Sequence, residues 1–465
     1  MLRIFSTLLF AFGLTSLIEA SPFKLPPHQK EQWPNGLSVF LMPQSEVPLL
    51  HVSIGLQGGA SWDENQLSGL ASYTGEALLL GTRLHKKADL EASLDFRGAS
   101  FGTNARPDFL NIDLSMAAKD APTLIPLLGE ILLTPTFPEG ELIKLKERTV
   151  SDLKKKRESP NLLADQFFNK LIFGTHSYAQ ATDGTAISIS RITRQNVVAY
   201  YQKAFQPQLA AISVVGDFEP EAMKKLLQAT FGGWQKGSQA VESVPTPAVN
   251  AGAARVFLVD KRDATETTFR IGGQGVPRNT ADWIPLQVIN TILGGRFTSL
   301  LNEELRVKTG LTYGAKSRFD PFKMSGTFAI SSFTANDNSF KALDLALETY
   351  RRFLKQGIDQ STLDSAKAYV KGQYPPRFET LDSLAQVLLD QWAYQLPDDV
   401  IDRFESEVDA LTQTRANDLI RQYFPADRLD ILLIGKAASL RSGVQKYGRI
   451  IQLDLEKAED AKLPL

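Results

Sequence analysis

An internal repeat in this chain of 465 residues limits the folds that it can adopt. Residues 192–217 and 411–436 each combine a polar-capped amphipathic helix pattern with an apolar, β-rich run that ends in glycine. Three identities share one constant offset of 219 residues: Thr193 with Thr412, Phe205 with Phe424, and Gly216 with Gly435. A constant offset favours duplication over two unrelated helix–strand units. The sequence therefore predicts two homologous α+β halves.

The front parts of the two halves resemble each other more weakly. Strand patterns at 36–60 precede one helix pattern, and strand patterns at 255–275 precede another, expected from about Ala281 to Leu293. The stretch between the halves is rich in Gly, Ser, Pro and Ala and has no sustained periodicity, which is typical of a linker. We therefore expect a first domain at 21–231, a linker at 232–252 and a second domain at 253–465.

Composition is that of an ordinary globular protein. Charged residues make up 22% of the chain and the net charge is −1, so nothing favours nucleic acid or an anionic membrane surface as a partner. Residues 1–20 differ, because Arg3 precedes an apolar run that is too short to span a bilayer comfortably and Ala20 is a small residue before a cleavage site. This pattern predicts a signal peptide and a periplasmic mature protein without a membrane segment. An uncleaved signal anchor is the alternative.

The helix pattern at 69–82, GLASYTGEALLLGT, carries an unusual set of polar residues. A hydrolytic zinc site on one helix needs two imidazoles four residues apart and a carboxylate base beside them. The chain has four histidines, no two of them at that spacing, and no cysteine. The sequence therefore predicts no zinc cofactor in this chain and no zinc-dependent hydrolysis by the chain alone. An independent metallopeptidase with a displaced site is disfavoured by the same histidine count.

The same segment resembles the zinc helix of the M16 (pitrilysin-like, inverzincin) peptidases, and the resemblance extends over essentially all of the mature chain. On the family pattern the first His corresponds to Ser72, the Glu to Gly75 and the second His to Glu76. The family's third zinc ligand, a Glu on the following charged helix, corresponds to Lys154 or, with a shift of two residues, to Asp152. A Lys there would repel a divalent cation. The resemblance implies a degenerate zinc site.

Residues 293–314, LGGRFTSLLNEELRVKTGLTYG, resemble a second M16 segment, in which a helix ending in Leu-Arg is followed by Gly-Leu-x-Tyr entering a strand. The match gives Arg306 and Tyr313, seven residues apart as the family pattern requires. In active members these two residues face the zinc site of the opposing half or subunit, where Arg can donate to the substrate backbone and Tyr to the oxyanion. Alone, each could be a helix-end cation or a strand aromatic, but the complete frame favours the motif.

Lost zinc ligands and a retained Arg/Tyr motif are typical of the non-metal subunit of a two-chain M16B-type peptidase. The resemblance implies two halves, each an antiparallel-rich sheet packed with helices, in a clam-like arrangement. We expect Arg306 and Tyr313 to act in trans, with zinc held by a homologous partner and a peptide or unfolded polypeptide as substrate. The alternative is a catalytically inactive M16-like scaffold that binds extended peptides or organises a partner.

Two side chains of the degenerate site should share a helix face where zinc would otherwise lie. We expect Glu76 either to hydrogen-bond Ser72 or a nearby base such as Lys154, or simply to face solvent. His176 lies in a Phe-Gly-Thr-His-Ser-Tyr segment that resembles a family loop, and we expect it to be a packing and turn residue.

Overall fold

The computed structural model describes residues 23–64, 66–237, 243–249, 252–426 and 428–463. The expected signal peptide lies outside these residues, as does part of the expected linker. In this described part of the chain, no helix combines the length and the apolar character needed to cross a membrane.

The first half forms a six-stranded mixed sheet in the order β1-β2-β6-β3-β5-β4. Its strands are β1 Gln29–Gln32, β2 Ser38–Pro43, β3 Leu49–Gln57, β4 Ser100–Ala105, β5 Phe109–Ala117 and β6 Ala210–Gly216. Its helices are α1 Leu70–Ala77, α2 Lys87–Phe96, α3 Ala121–Leu133, α4 Glu139–Lys156, α5 Pro160–Phe173, α6 Ala186–Arg191, α7 Arg194–Ala204 and α8 Pro220–Phe231. Alternation along β3 places Val52 and Ile54 in the core of this half, while the odd-numbered side chains lie on the opposite face.

The second half repeats this architecture with the order β12-β7-β11-β8-β10-β9. Its strands are β7 Arg255–Asp260, β8 Glu266–Gln274, β9 Ala315–Pro321, β10 Gly326–Ala335, β11 Asp430–Gly435 and β12 Arg449–Asp454. Its helices are α9 Trp283–Asn290, α10 Leu300–Asn302, α11 Ser339–Gln356, α12 Gln360–Gly372, α13 Leu381–Tyr394, α14 Phe404–Ala410, α15 Gln413–Tyr423, α16 Ala437–Leu440 and α17 Leu455–Asp460.

The sheet orders confirm that the two halves are homologous in fold. Strands β7, β11, β8, β10 and β9 follow one another as β2, β6, β3, β5 and β4 do, and the parallel pair β2–β6 has its counterpart in β7–β11. The repeat seen in the sequence corresponds to α7–β6 and α15–β11. Thr193 and Thr412 cap the two helices through their side-chain hydroxyls, which accept a backbone N–H from the first turn.

Each half covers the sheet of the other half with one helix. Helix α5 packs on β8 and β11, and helix α13 packs on β3 and β6. Leu388 and Leu389 of α13 are fully buried in a cluster that also contains Phe40 of β2, while Phe167 of α5 lies edge-on to Phe257 of β7. Apolar burial across the exchange is the main force that holds the halves together. The domain limits at 231 and 253 stay a prediction, and they do not separate two independently packed cores.

The helices around the Arg/Tyr segment are shorter than the sequence predicts. The helix expected at 281–293 ends as an α-helix at Asn290 and continues as a π-helical turn, Thr291–Gly295. The helix expected to end in Leu305-Arg306 is α-helical only over Leu300–Asn302 and continues as a second π-helical turn, Glu303–Lys308. A Cβ at Gly294 would lie 2.2 Å from the backbone nitrogen of Ser317, so the glycine permits this helix end to approach β9 closely. Wide turns of this kind are frequent at functional sites.

Candidate functional site

Arg306 and Tyr313 both project from the surface of the second half. Tyr313 is 80% exposed, and Arg306, on the second π-helical turn, is exposed as well. The Arg306 guanidinium lies 4.8 Å from the ring centroid of Phe297, which is itself 62% exposed. Within the described residues, neither Arg306 nor Tyr313 has a side-chain hydrogen bond or an ion pair. Their donor groups are therefore available to acceptors outside this chain.

The backbone between these two residues is fixed by the carbonyl of Leu305. That oxygen accepts the backbone N–H of Leu311 at 2.9 Å and of Thr312 at 3.3 Å, so the chain folds back on the π-helical turn. Gly310 makes the reversal with a φ of 62°, a conformation that costs glycine little. The turn thus sets the separation of Arg306 and Tyr313 through backbone contacts.

Two buried hydroxyls on β10 hold the same loop against the sheet. Thr334 Oγ1 donates to the carbonyl of Leu311 at 2.6 Å, and Ser332 Oγ donates to the carbonyl of Gly314 at 2.9 Å. Ser332 and Thr334 are 4% and 2% exposed. Tyr313 therefore has a largely exposed ring on a firmly anchored backbone, which is the arrangement that an orienting donor needs.

Helix α1 holds the positions that correspond to the zinc motif. Its N-terminus is capped by the buried Asp63, whose carboxylate accepts the backbone N–H groups of Gly69 at 2.7 Å and Ala71 at 2.8 Å. Burial raises the pKa of Asp63 well above its usual range, although these hydrogen bonds act in the opposite direction. Tyr73 donates to the carbonyl of Leu142 at 2.6 Å and so joins α1 to α4. These contacts fix the N-terminus of α1 and hold the helix against α4.

The position of the catalytic carboxylate is occupied by a glycine in close contact with the sheet. A Cβ on Gly75 would lie 3.1 Å from Leu110 Cδ1 and 3.1 Å from Thr103 Oγ1. These contacts are tighter than ordinary van der Waals distances, so a larger residue at this position requires the side chains of Leu110 and Thr103 to shift. Gly75 thus lets α1 lie close to the sheet and supplies no base.

Glu76 forms an ion pair with Arg148, whereas the sequence suggested Lys154 as the nearby base. Its Oε2 accepts from Arg148 of α4 at 3.3 Å, and among the described residues no hydrogen bond joins it to Ser72. Lys154 is exposed and, in helical projection, lies roughly 240° around α4 from Arg148. Asp152, one turn after Arg148, lies on the same face of α4 as Arg148. Burial raises the pKa of Glu76, and Arg148 lowers it in part. Arg148 is the partner because it lies on the side of α4 that faces α1, and the sequence alone does not show how these two helices face each other.

These residues do not suit a zinc ion. Ser72, Glu76 and the α4 residues supply a hydroxyl and carboxylates but no imidazole, and a guanidinium lies against the carboxylate of Glu76. Within the described ranges, no group of three or more His, Cys, Asp or Glu side chains is arranged to hold a metal ion.

Two histidines have defined structural partners. His176 accepts the backbone N–H of Tyr178 at 3.1 Å through Nδ1, and its Nε2 lies 2.8 Å from the carbonyl of Pro245. These are the contacts of a turn residue. His51, which the sequence reasoning did not single out, is buried among hydroxyls on β3 and β5. The available signal was the alternation of polar residues along those strands.

Comparisons with known proteins agree with this geometry. The family described as Peptidase M16 inactive domain matches residues 191–370. A crystal structure of a peptidase M16 inactive domain from Pseudomonas fluorescens is 26% identical, with a TM-score of 0.82 over 88% of this chain and 98% of that one. The non-peptidase homolog YmxG of Helicobacter pylori is 24% identical over 83% of this chain and 89% of its own length.

The periplasmic protease PqqL of Escherichia coli shares the fold at 14% identity, with a TM-score of 0.73. The alignment covers 93% of this chain but 49% of PqqL, so this chain spans about half of that protein. These comparisons support the M16 family for this chain. Within it, the chain is an M16-like protein of the inactive type, in keeping with Ser72, Gly75 and Glu76 at the positions of the zinc motif.

Proposed function

We propose that this chain is the non-metal subunit of a periplasmic, heterodimeric M16B-type zinc peptidase. Its role is to present Arg306 and Tyr313 to a peptide or unfolded polypeptide bound at the zinc site of a homologous partner. The observation that carries the proposal is that both side chains are exposed and unpaired in the described structure, while the loop between them is anchored by Leu305, Ser332 and Thr334.

The chemistry of the two side chains suits this role. The partner's zinc would supply the activated water and the Lewis acid. Arg306 has a planar guanidinium group that can donate two hydrogen bonds in one plane to substrate carbonyl groups. Tyr313 offers one neutral O–H donor to the oxyanion that develops during peptide hydrolysis. Because the loop is fixed before substrate binds, little reorganisation is needed in the transition state.

The localisation rests on the signal-peptide pattern at 1–20. The need for a partner rests on the unsuitability of Ser72, Gly75 and Glu76 for zinc together with the unpaired state of Arg306 and Tyr313. A partner with an intact HxxEH helix would complete the site. Its zinc ligands would lie within reach of this chain's Arg/Tyr loop when the two proteins close on a substrate.

Affinity purification of the chain from its native periplasm, with identification of bound proteins and metal analysis, tests this proposal. We expect one M16 homologue that carries HxxEH, in a one-to-one complex with one zinc. The same tagged chain with Leu84→Ser, a substitution at an exposed residue outside the Arg/Tyr loop, is purified in parallel as the matched control. Purification of the chain without such a homologue, or with zinc bound to this chain itself, would contradict the proposal.

The scaffold function is the second candidate, and the similarity to a non-peptidase homologue favours it. It also requires a partner or a bound peptide, but it gives Arg306 and Tyr313 no role in catalysis. The two functions therefore differ in the rate of the purified complex after substitution of Arg306 or Tyr313, and not in whether a complex forms.

A further inference from the structure

A cavity of about 740 Å³ lies between the two halves, away from the Arg/Tyr loop. Its apolar wall comes from the β2–β3 connection, from β5 and from the start of α13, and includes Val47, Leu49, Met116, Phe378 and Leu381. Val47 and Leu49 are 44% and 49% exposed, which leaves apolar surface open to the cavity. The volume lies in the range of roughly 300–1,000 Å³ that is usual for sites of small organic ligands.

The cavity and the degenerate zinc helix lie on opposite faces of the first sheet. Helix α1 packs on the face of Leu110 and Thr103, as the contacts of Gly75 show. His51 and Ser115, which line the cavity, form a cross-strand pair on the other face, and α13 covers the same face farther along at Gly55. A ligand in the cavity would therefore not touch the M16 motif positions.

A chain of hydrogen bonds lies at the cavity wall, and its direction depends on the tautomer of His51. Asp113 accepts from the hydroxyl of Ser53, whose oxygen is then free to accept from His51 Nε2 at 2.9 Å. In the tautomer that carries its proton on Nε2, His51 Nδ1 accepts from Ser115 across 2.8 Å. The proton of Ser115 is thereby directed into the wall. The Oγ atom of Ser115 therefore keeps its lone pairs to accept a hydrogen bond from a donor in the cavity.

The rim of the cavity is acidic. Glu46, Glu379 and Asp382 line it and are exposed, and within the described residues none of them forms an ion pair. Among the lining residues that the structure describes, Arg97 is the one Lys or Arg, and its Nε lies 3.8 Å from Asp120. Carboxylates at the rim and an acceptor oxygen at the wall together favour a ligand that carries a positive charge and N–H donors.

We propose that this cavity binds an amphipathic organic cation, whose apolar body contacts Val47, Leu49 and Leu381 and whose primary ammonium group donates to Ser115 Oγ. The carboxylates at the rim stabilise the charge of the ammonium group. Burial of the alkyl body contributes most of the affinity, and the polar groups orient the ligand and select its charge. This site is independent of the peptidase assignment, since none of its residues belongs to the Arg/Tyr loop or to α1.

Isothermal titration of the full-length mature protein with matched ten-carbon probes, kept below their micellar concentrations, tests the proposal. Decylammonium should bind at least about tenfold more tightly than decanol or decanoate, a difference of about 1.4 kcal/mol. Decyltrimethylammonium, which has the charge but no N–H donor, should bind more weakly than decylammonium. Equal binding of all four probes would overturn the proposal, as would tightest binding of decanoate.

Three variants assign the binding to this cavity. Ser115→Ala should remove the preference for decylammonium over decyltrimethylammonium, and the pair Glu379→Gln with Asp382→Asn should weaken both cations about tenfold. Leu49→Ser, on a half-exposed side chain that can change without unfolding the protein, should weaken all four probes. Leu84→Ser, 78% exposed elsewhere, is the matched control and should change none of them. Undiminished decylammonium binding by folded Leu49→Ser would place the probe elsewhere and refute the assignment.

Discussion

Removal of the two hydroxyls that hold the Arg/Tyr loop should loosen the loop without altering Arg306 or Tyr313. Thr334→Val leaves the carbonyl of Leu311 without its 2.6 Å donor, and both residues are at most 5% exposed. Such a buried, unsatisfied acceptor costs about 1–3 kcal/mol of the free energy of unfolding. Ser332→Ala should cost less, about 0.5–1.5 kcal/mol, because the carbonyl of Gly314 also accepts from Thr312 Oγ1 at 3.1 Å.

Urea unfolding of the single variants and of their combination measures these losses. Ser331→Ala, the neighbouring serine that makes no side-chain hydrogen bond in the described structure, is the matched control and should stay within about 0.5 kcal/mol of the parent. If Thr334→Val is as stable as Ser331→Ala, the hydroxyl does not anchor the loop. In a reconstituted peptidase, the double variant should lower kcat more than it changes KM, since the lost order concerns transition-state donors.

Three further outcomes follow from other contacts. Glu76→Ala should change the free energy of unfolding by less than about 1 kcal/mol, because its ion pair with Arg148 is solvent-exposed; a loss above about 2 kcal/mol in thermal or urea unfolding would contradict this. Burial lowers the pKa of Lys170 to about 8, so between pH 8 and 10 the unfolded chain holds the proton that the native chain has released. Stability from this group should therefore rise with pH, by up to about 3 kcal/mol relative to Lys170→Met, and equal pH slopes in parent and variant would refute it. Leu388→Ala, at a fully buried site of α13, should cost about 2–5 kcal/mol. Both halves should still unfold in one transition, and separate transitions by circular dichroism and tryptophan fluorescence would show that the exchanged helices do not couple them.

The duplicated architecture could be predicted from sequence because its signals are local. Thr193 and Thr412 each cap a helix that precedes an apolar strand, and the same order of patterns appears in both halves. The exchange of α5 and α13 could not be predicted in this way. An amphipathic pattern shows that Leu388 must be buried but not which of two similar sheets buries it.

The candidate sites likewise combine features that a sequence pattern shows with features that depend on tertiary contacts. The spacing of Arg306 and Tyr313 is a sequence pattern, but their exposure and the anchoring of the loop depend on β10. The pairing of Glu76 with Arg148 depends on how α1 faces α4. The hydrogen-bond chain through His51 depends on strand register, because His51 and Ser115 are 64 residues apart in sequence and directly opposite in the sheet.

The catalytic role of the exposed donors is the central claim, and the turnover number of the reconstituted heterodimer tests it most directly. With a zinc-bearing M16 homologue and an unstructured peptide, Tyr313→Phe should lower kcat by about 10²–10³-fold, the usual cost of one lost oxyanion donor. Arg306→Ala should lower kcat/KM in the same assay. Tyr369→Phe, on a tyrosine that is 41% exposed and outside the motif, should leave both constants unchanged. A complex that forms normally and retains the full rate with Tyr313→Phe and Arg306→Ala would contradict the account and leave the chain as a scaffold.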